Sequence, residues 1–151
     1  MIERILVAVD GSPAATRASE VALELAQPAD AEVTFLHASA EHMERLYIEN
    51  PFTTDTDEKL VAEVPVLAEA ARLAADRGVR SRLHLVGDES PAAVISTVVG
   101  VAVASDIELI VIGSRGLGAV ARTVLGSVSE GLLHRTTIPT LIVHPEPDES
   151  D

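Results

Sequence analysis

The sequence predicts an α/β domain in which an open, five-stranded parallel sheet carries helices on both faces, and three observations predict it. Five short apolar runs, at residues 4–9, 33–38, 82–86, 109–112 and 140–143, are rich in Val, Ile and Leu and scarcely alternate with polar residues. Strands covered on both faces read this way. Between the runs lie longer stretches of helical pattern, at residues 13–26, 59–77, 91–104 and 128–135. Strand and helix alternating along a chain mean right-handed crossovers and therefore parallel pairing. A chain of 151 residues is also long enough to bury a core without staples.

Each element carries its own signals. The first strand runs straight into Asp10-Gly11-Ser12, and Ser12 before Pro13 places an N-cap ahead of proline at the first helical position. Ser90 before Pro91 repeats that arrangement for the third long helix. In the second, Pro65 conflicts with a straight helix, so a kink or a start near that residue is expected, and Gly78 is the expected stop. Ser127 and Glu130 have the spacing of a capping box before Leu132 and Leu133. Residues 39–57 are the least regular segment, with a short extra helix expected over 41–48. Residues 1–145 are expected to form the domain, and residues 146–151 an acidic, frayed tail.

Composition narrows the function. Hydrophobic residues make up 47 % of the chain, yet the aromatic ones are Phe35, Tyr47 and Phe52 alone, so the core must be aliphatic. Cysteine is absent, which removes disulfides, thiolate metal sites and cysteine nucleophiles together. The net charge of −13 repels nucleic acid phosphate, and Lys59 is the only lysine. Such an acidic, lysine-poor surface suits a salt-rich, halophilic cytoplasm, where ions screen the self-repulsion, and the alternative is simply an acidic mesophilic protein. The start lacks the pattern of a signal peptide, and the longest uncharged run, residues 92–105, is too short to span a bilayer. A cytoplasmic protein without membrane or nucleic acid partners is expected.

In open α/β sheets, ligands bind beyond the carboxyl ends of strands where the strand order reverses. The loop after the first strand is Asp10-Gly11-Ser12. The loop after the fourth holds Gly113, Ser114, Arg115, Gly116, Leu117 and Gly118, followed later by Gly126 and Ser127. Glycines let backbone N–H groups approach a phosphate closely, and the start of the last helix favours an anion. Together the two segments could cradle a triphosphate without a lysine.

Gly113, two residues, Gly116, nine residues, then Gly126-Ser127 resembles the nucleotide-binding signature of the ATP-binding universal stress proteins. The first strand, Ile5 to Ser12, and the last, Ile138 to Val143, are similar to that family's as well, and the resemblance covers about residues 2–145. It implies the strand order 3-2-1-4-5 and an ATP-binding, stress-response module with slow or no hydrolysis. Asp10 would lie near the ribose and adenine, Ala8 would make backbone contact where some members carry proline, and Ala38 would offer backbone groups to adenine. Gly113 would sit under the ribose, with Arg115, Gly116, Gly126, Ser127 and Val128 around the phosphates. Magnesium would arrive with ATP, within reach of Asp10. A homodimer through Thr140, Leu141, Ile142 and Val143 is implied too, because this apolar strand would form a bare sheet edge.

Structural roles stand beside these. Asp10 could cap the turn into the first helix, Ser127 could serve a capping box, and Arg115 could be merely solvated. His37 and His84 read as core or edge histidines, and no histidine spacing suggests a metal site or a catalytic group. Walker-type loops need a lysine after the glycines, and none is present. The competing architecture is a flavodoxin-like dimeric interaction module of order 2-1-3-4-5 that binds no nucleotide. Its crevice would use Gly87-Asp88-Glu89-Ser90, whose acids suit an anion poorly.

Overall fold

A computed structural model describes residues 1–49, 61–115 and 125–147. Along the chain run β1 (Arg4–Ala8), α1 (Pro13–Ala29), β2 (Glu32–Ala38), α2 (Ala40–Glu49), α3 (Pro65–Asp76), β3 (Ser81–Val86), α4 (Pro91–Ala104), β4 (Leu109–Gly113), α5 (Ser127–Arg135) and β5 (Thr140–Val143). The five strands form one sheet of order β3-β2-β1-β4-β5, every pair parallel. This is the order the resemblance implied, and it excludes the flavodoxin-like order 2-1-3-4-5.

Period-two alternation along each strand divides the core into two layers. Ile5, Val7, Val33, Phe35 and Val111 face one side, beneath Ala18, Ala22 and Leu23 of α1 and Leu67, Ala70 and Ala74 of α3. Leu6, Leu36, Ile110 and Ile112 face the other, against Val94, Ile95 and Val98 of α4 and Leu132 of α5. The small residues along the buried stripe of α1 let its backbone lie close to the sheet. Among the described residues no helix is long and apolar enough to cross a membrane.

Some helix ends agree with the sequence reading, at Pro65 and Gly78 of α3, and others differ from it. α1 continues through Pro28 and stops at Asp30, which takes a left-handed conformation at φ 51°. α3 begins at Pro65, so the proline opens the helix and does not kink it. Gly78, at φ 66°, ends α3: Val79 N donates to Ala74 O at 2.9 Å and Gly78 N to Ala75 O at 3.0 Å, a Schellman closure. The capping box at Ser127 does not form. Gly126 is the N-cap of α5 and Ser127 is already helical, one position too late to cap. Arg17 of α1 pairs with Glu146 at 2.6 Å, with both side chains exposed.

His84 sits opposite Leu36 on the edge strand β3, half-buried and without a hydrogen-bond partner among the described residues. Burial lowers its pKa by penalising the charged ring. The unfolded chain therefore takes up the proton first as pH falls, so His84 costs no stability above its ordinary value near about 6.5 and progressively more below it. Thermal melts at about pH 7.5 and 5.5 should show a smaller acid-induced loss for His84→Gln than for the wild type. Equal losses would clear His84 of the effect.

Candidate functional site

The reversal of strand order falls between β1 and β4, whose carboxyl ends flank the switch point of the sheet. Beyond β1, Val9 N donates to Leu36 O at 2.8 Å, carrying the ladder one residue further. Gly11 then turns the chain at φ 82°, a conformation that favours glycine. Asp10 Oδ1 accepts from Ser12 N at 2.9 Å, and Ser12 Oγ accepts from Ala15 N at 3.2 Å. The β3–α4 loop repeats this device. Asp88 Oδ1 accepts from Ser90 N at 2.9 Å, and Ser90 Oγ from Ala93 N at 3.3 Å. That backbone N–H holds the Asp88 carboxyl below the usual carboxylate range. The two loops share the residues Asp-x-Ser-Pro-Ala, so capping is a role of Asp10 in its own right.

The two halves of the glycine signature are drawn together by hydrogen bonds. Ser114 N donates to Val143 O at 2.8 Å, Gly126 N to Ser114 O at 2.7 Å, and Ser129 Oγ to Gly113 O at 2.6 Å. The last of these pins the first turn of α5 to the end of β4. Gly113 is also where α1 comes closest: a Cβ there would lie 2.9 Å from both the carbonyl carbon and the Cβ of Ala14.

These elements enclose a cavity of about 640 Å³, within the usual size range of small-molecule sites. Ala8, Asp10, Ala38, Gly113, Arg115, Gly126, Ser127 and Val128 all line it; Gly116 lies outside the described residues. Arg115 is partly buried and makes no hydrogen bond or ion pair among the described residues, so its charge is available to the cavity. Among the polar lining residues, three escaped the sequence reading of the site. Ser129 carries no motif, because its partner is a backbone carbonyl. Glu89 belongs to the loop set aside for its acidity, yet it stands on the wall. His37, read as a core histidine, is 8 % exposed and also reaches the cavity.

Residues 1–144 match the Universal stress protein family. The chain belongs to that family. A universal stress protein of Thermus aquaticus is 35 % identical over 144 residues, covering 95 % of this chain and 99 % of the relative. The solved universal stress protein of Archaeoglobus fulgidus in complex with dAMP superposes with a TM-score of 0.62 at 26 % identity, covering 95 % and 99 % of the two chains. A universal stress protein in complex with cAMP shares the fold at a TM-score of 0.68 and 24 % identity, covering 96 % and 98 %.

Within this universal stress protein, charge is unevenly spread around the cavity. Arg115 and the N-terminus of α5 are its positive features; Asp10 and Glu89 are its carboxylates. Proton transfer would need a base within reach of a nucleophile. On the described wall Asp10 is bonded within its own loop and the Nδ1 of His37 to Val9 O at 2.8 Å, while Glu89 makes no hydrogen bond or ion pair among the described residues.

Proposed function

We propose that this chain is a nucleotide-binding stress-response or regulatory module that holds ATP in the cavity between the β1–α1 loop and the Gly113 and Gly126 segments. The observation that carries the reading is the start of α5. Gly126 caps the helix without a side chain, and Ser127, Val128 and Ser129 of the first turn line the cavity. The first N–H groups of a helix have no partner within it, and with the helix dipole they favour a phosphate. Arg115 adds a cation, and the absence of a Cβ at Gly126 leaves room for close approach. Ala8 and Ala38, at the ends of β1 and β2, provide backbone for the nucleoside, while Asp10 offers a carboxylate to the ribose or to magnesium accompanying the triphosphate. The dAMP complex of the A. fulgidus relative supports an adenylate as the ligand class.

Hydrolysis in this reading is slow or absent, well under ~1 per second. Phosphate release at saturating ATP measures it. Rapid turnover that disappears in Asp10→Ala would mean a catalytic site rather than a binding one.

The same reading includes a homodimer through β5. Thr140, Leu141, Ile142 and Val143 form an edge strand, and Leu141 is 38 % exposed while Ile142 packs into the α4–α5 layer. Two copies pairing these edges about a two-fold axis would satisfy the unpaired backbone of both. Leu141→Glu leaves the inner layer intact, so light scattering should find a dimeric wild type and a monomeric variant. A monomeric wild type, or a dimeric Leu141→Glu, removes this strand as the interface.

A further inference from the structure

The histidine at the end of β2 has one nitrogen used and one free. His37 Nδ1 lies 2.8 Å from Val9 O. A carbonyl only accepts, so Nδ1 carries the hydrogen and, in the neutral ring, Nε2 is the acceptor. Nε2 has no partner among the described residues, although the residue is only 8 % exposed. No fully buried side-chain nitrogen among the described residues lacks a partner, so Nε2 is not fully buried, and His37 is one of the residues that line the cavity. A buried acceptor, its tautomer set by the backbone and its lone pair unmatched, costs free energy until a donor meets it.

The geometry points to His37 as a specificity-determining residue: its Nε2 accepts a hydrogen bond from an N–H or O–H donor on the nucleoside half of the bound nucleotide. This rests on the nucleotide reading above. β2 lies two strands from β4, and neighbouring strands are about 4.8 Å apart, so His37 stands about 10 Å from the Gly113 end of the site. With phosphates at α5, the group presented to β2 is the nucleoside. Phosphate oxygens only accept and would meet the Nε2 lone pair unfavourably, so the ring also opposes the reversed orientation. The donors available on adenosine are the exocyclic amine of the base and the ribose hydroxyls.

The test is a calorimetric comparison on the full chain. Wild type and His37→Asn are titrated with ATP, with ITP, which lacks the amine, and with 2′-deoxy- and 3′-deoxy-ATP, each of which lacks one hydroxyl. Asparagine can keep the hydrogen bond to Val9 O but places nothing at Nε2. His37→Asn is expected to weaken ATP about 3- to 10-fold. Wild type should lose a similar factor with whichever analogue lacks the donor that His37 reads, and His37→Asn should no longer distinguish that analogue from ATP. ITP as that analogue identifies the amine; a deoxy analogue identifies the hydroxyl. Unchanged ATP affinity in His37→Asn, or the same loss for all four ligands, overturns the role. If His37→Asn fails to fold, His37→Gln decides, because its amide oxygen restores an acceptor near Nε2: retained discrimination supports the role and lost discrimination overturns it. Failure of wild type to bind ATP at all would instead overturn the nucleotide reading beneath it.

Discussion

Gly113→Val is expected to lower the melting temperature by roughly 5–10 °C, from about 2–3 kcal/mol of overpacking in a domain of this size. The cause is contact with backbone. An added Cβ would stand 2.9 Å from the carbonyl carbon and Cβ of Ala14 and 3.0 Å from Ala15 N. Those atoms belong to the first turn of α1, which Ser12 caps and whose small residues seat it on the sheet. Neither side can yield without lifting α1 or displacing the end of β4, and the γ carbons of valine add to the conflict. Displacing β4 would also strain the hydrogen bond from Ser129 to Gly113 O that sets α5 in place. Gly113→Ala should show a smaller loss of the same origin. Circular dichroism melts measure both, and a Gly113→Val melt within about 2 °C of wild type would contradict this packing account.

Gly126→Val is expected to do the opposite: leave the fold intact and reduce ATP affinity by about 100-fold or more. Gly126 has φ −65° and ψ 160°, an extended conformation that valine adopts without strain. Its hydrogen bonds, from its own N to Ser114 O and from Glu130 N to its carbonyl, are made by backbone and survive the change. What changes is the approach to the first turn of α5, where branched carbons would stand between the phosphates and the N–H groups. Losing two hydrogen bonds to a charged phosphate, each contributing about 1.5–3 kcal/mol, gives the stated factor. Gly116→Val should behave alike if Gly116 contributes to the same cradle. Calorimetric titration beside a far-ultraviolet spectrum separates binding from folding. Wild-type affinity in Gly126→Val would remove α5 from the site.

The contrast between these glycines shows where sequence reading reached and where it stopped. The fold was legible because strands buried on both faces and helix starts such as Ser12-Pro13 are local signals, and the glycine spacing supplied a resemblance that fixed the strand order. The helix ends were harder. The first helix was expected to end at residue 26, yet α1 runs on through Pro28 and is ended by Asp30, because proline near the last turn forfeits only one hydrogen bond before the helix stops. Ser127 has the spacing of a cap, but the bond from Gly126 N to Ser114 O fixes the boundary one residue earlier. In the site, the described residues placed by motif line the cavity, while Gly116 lies outside the described residues. Those placed by topology were missed: Glu89 arrives because β3 lies next to β2, and His37 because its ring bonds to Val9 O at the end of the sheet. Nothing in the sequence reveals that Gly113 is needed for the approach of α1, since that requires knowing how closely Ala14 lies.

The central claim is that a nucleotide lies across the ends of β2, β1 and β4 with its phosphates at the start of α5. A crystal structure of the full chain grown with a non-hydrolysable ATP analogue and magnesium tests it most directly. The expected result is density for the phosphates within hydrogen-bonding distance, about 2.7–3.2 Å, of the N–H groups of Ser127 and Val128, with the base at Ala38. Density that places the phosphates beside Glu89 and Asp88, or a cavity without nucleotide in crystals grown at millimolar analogue, would contradict it.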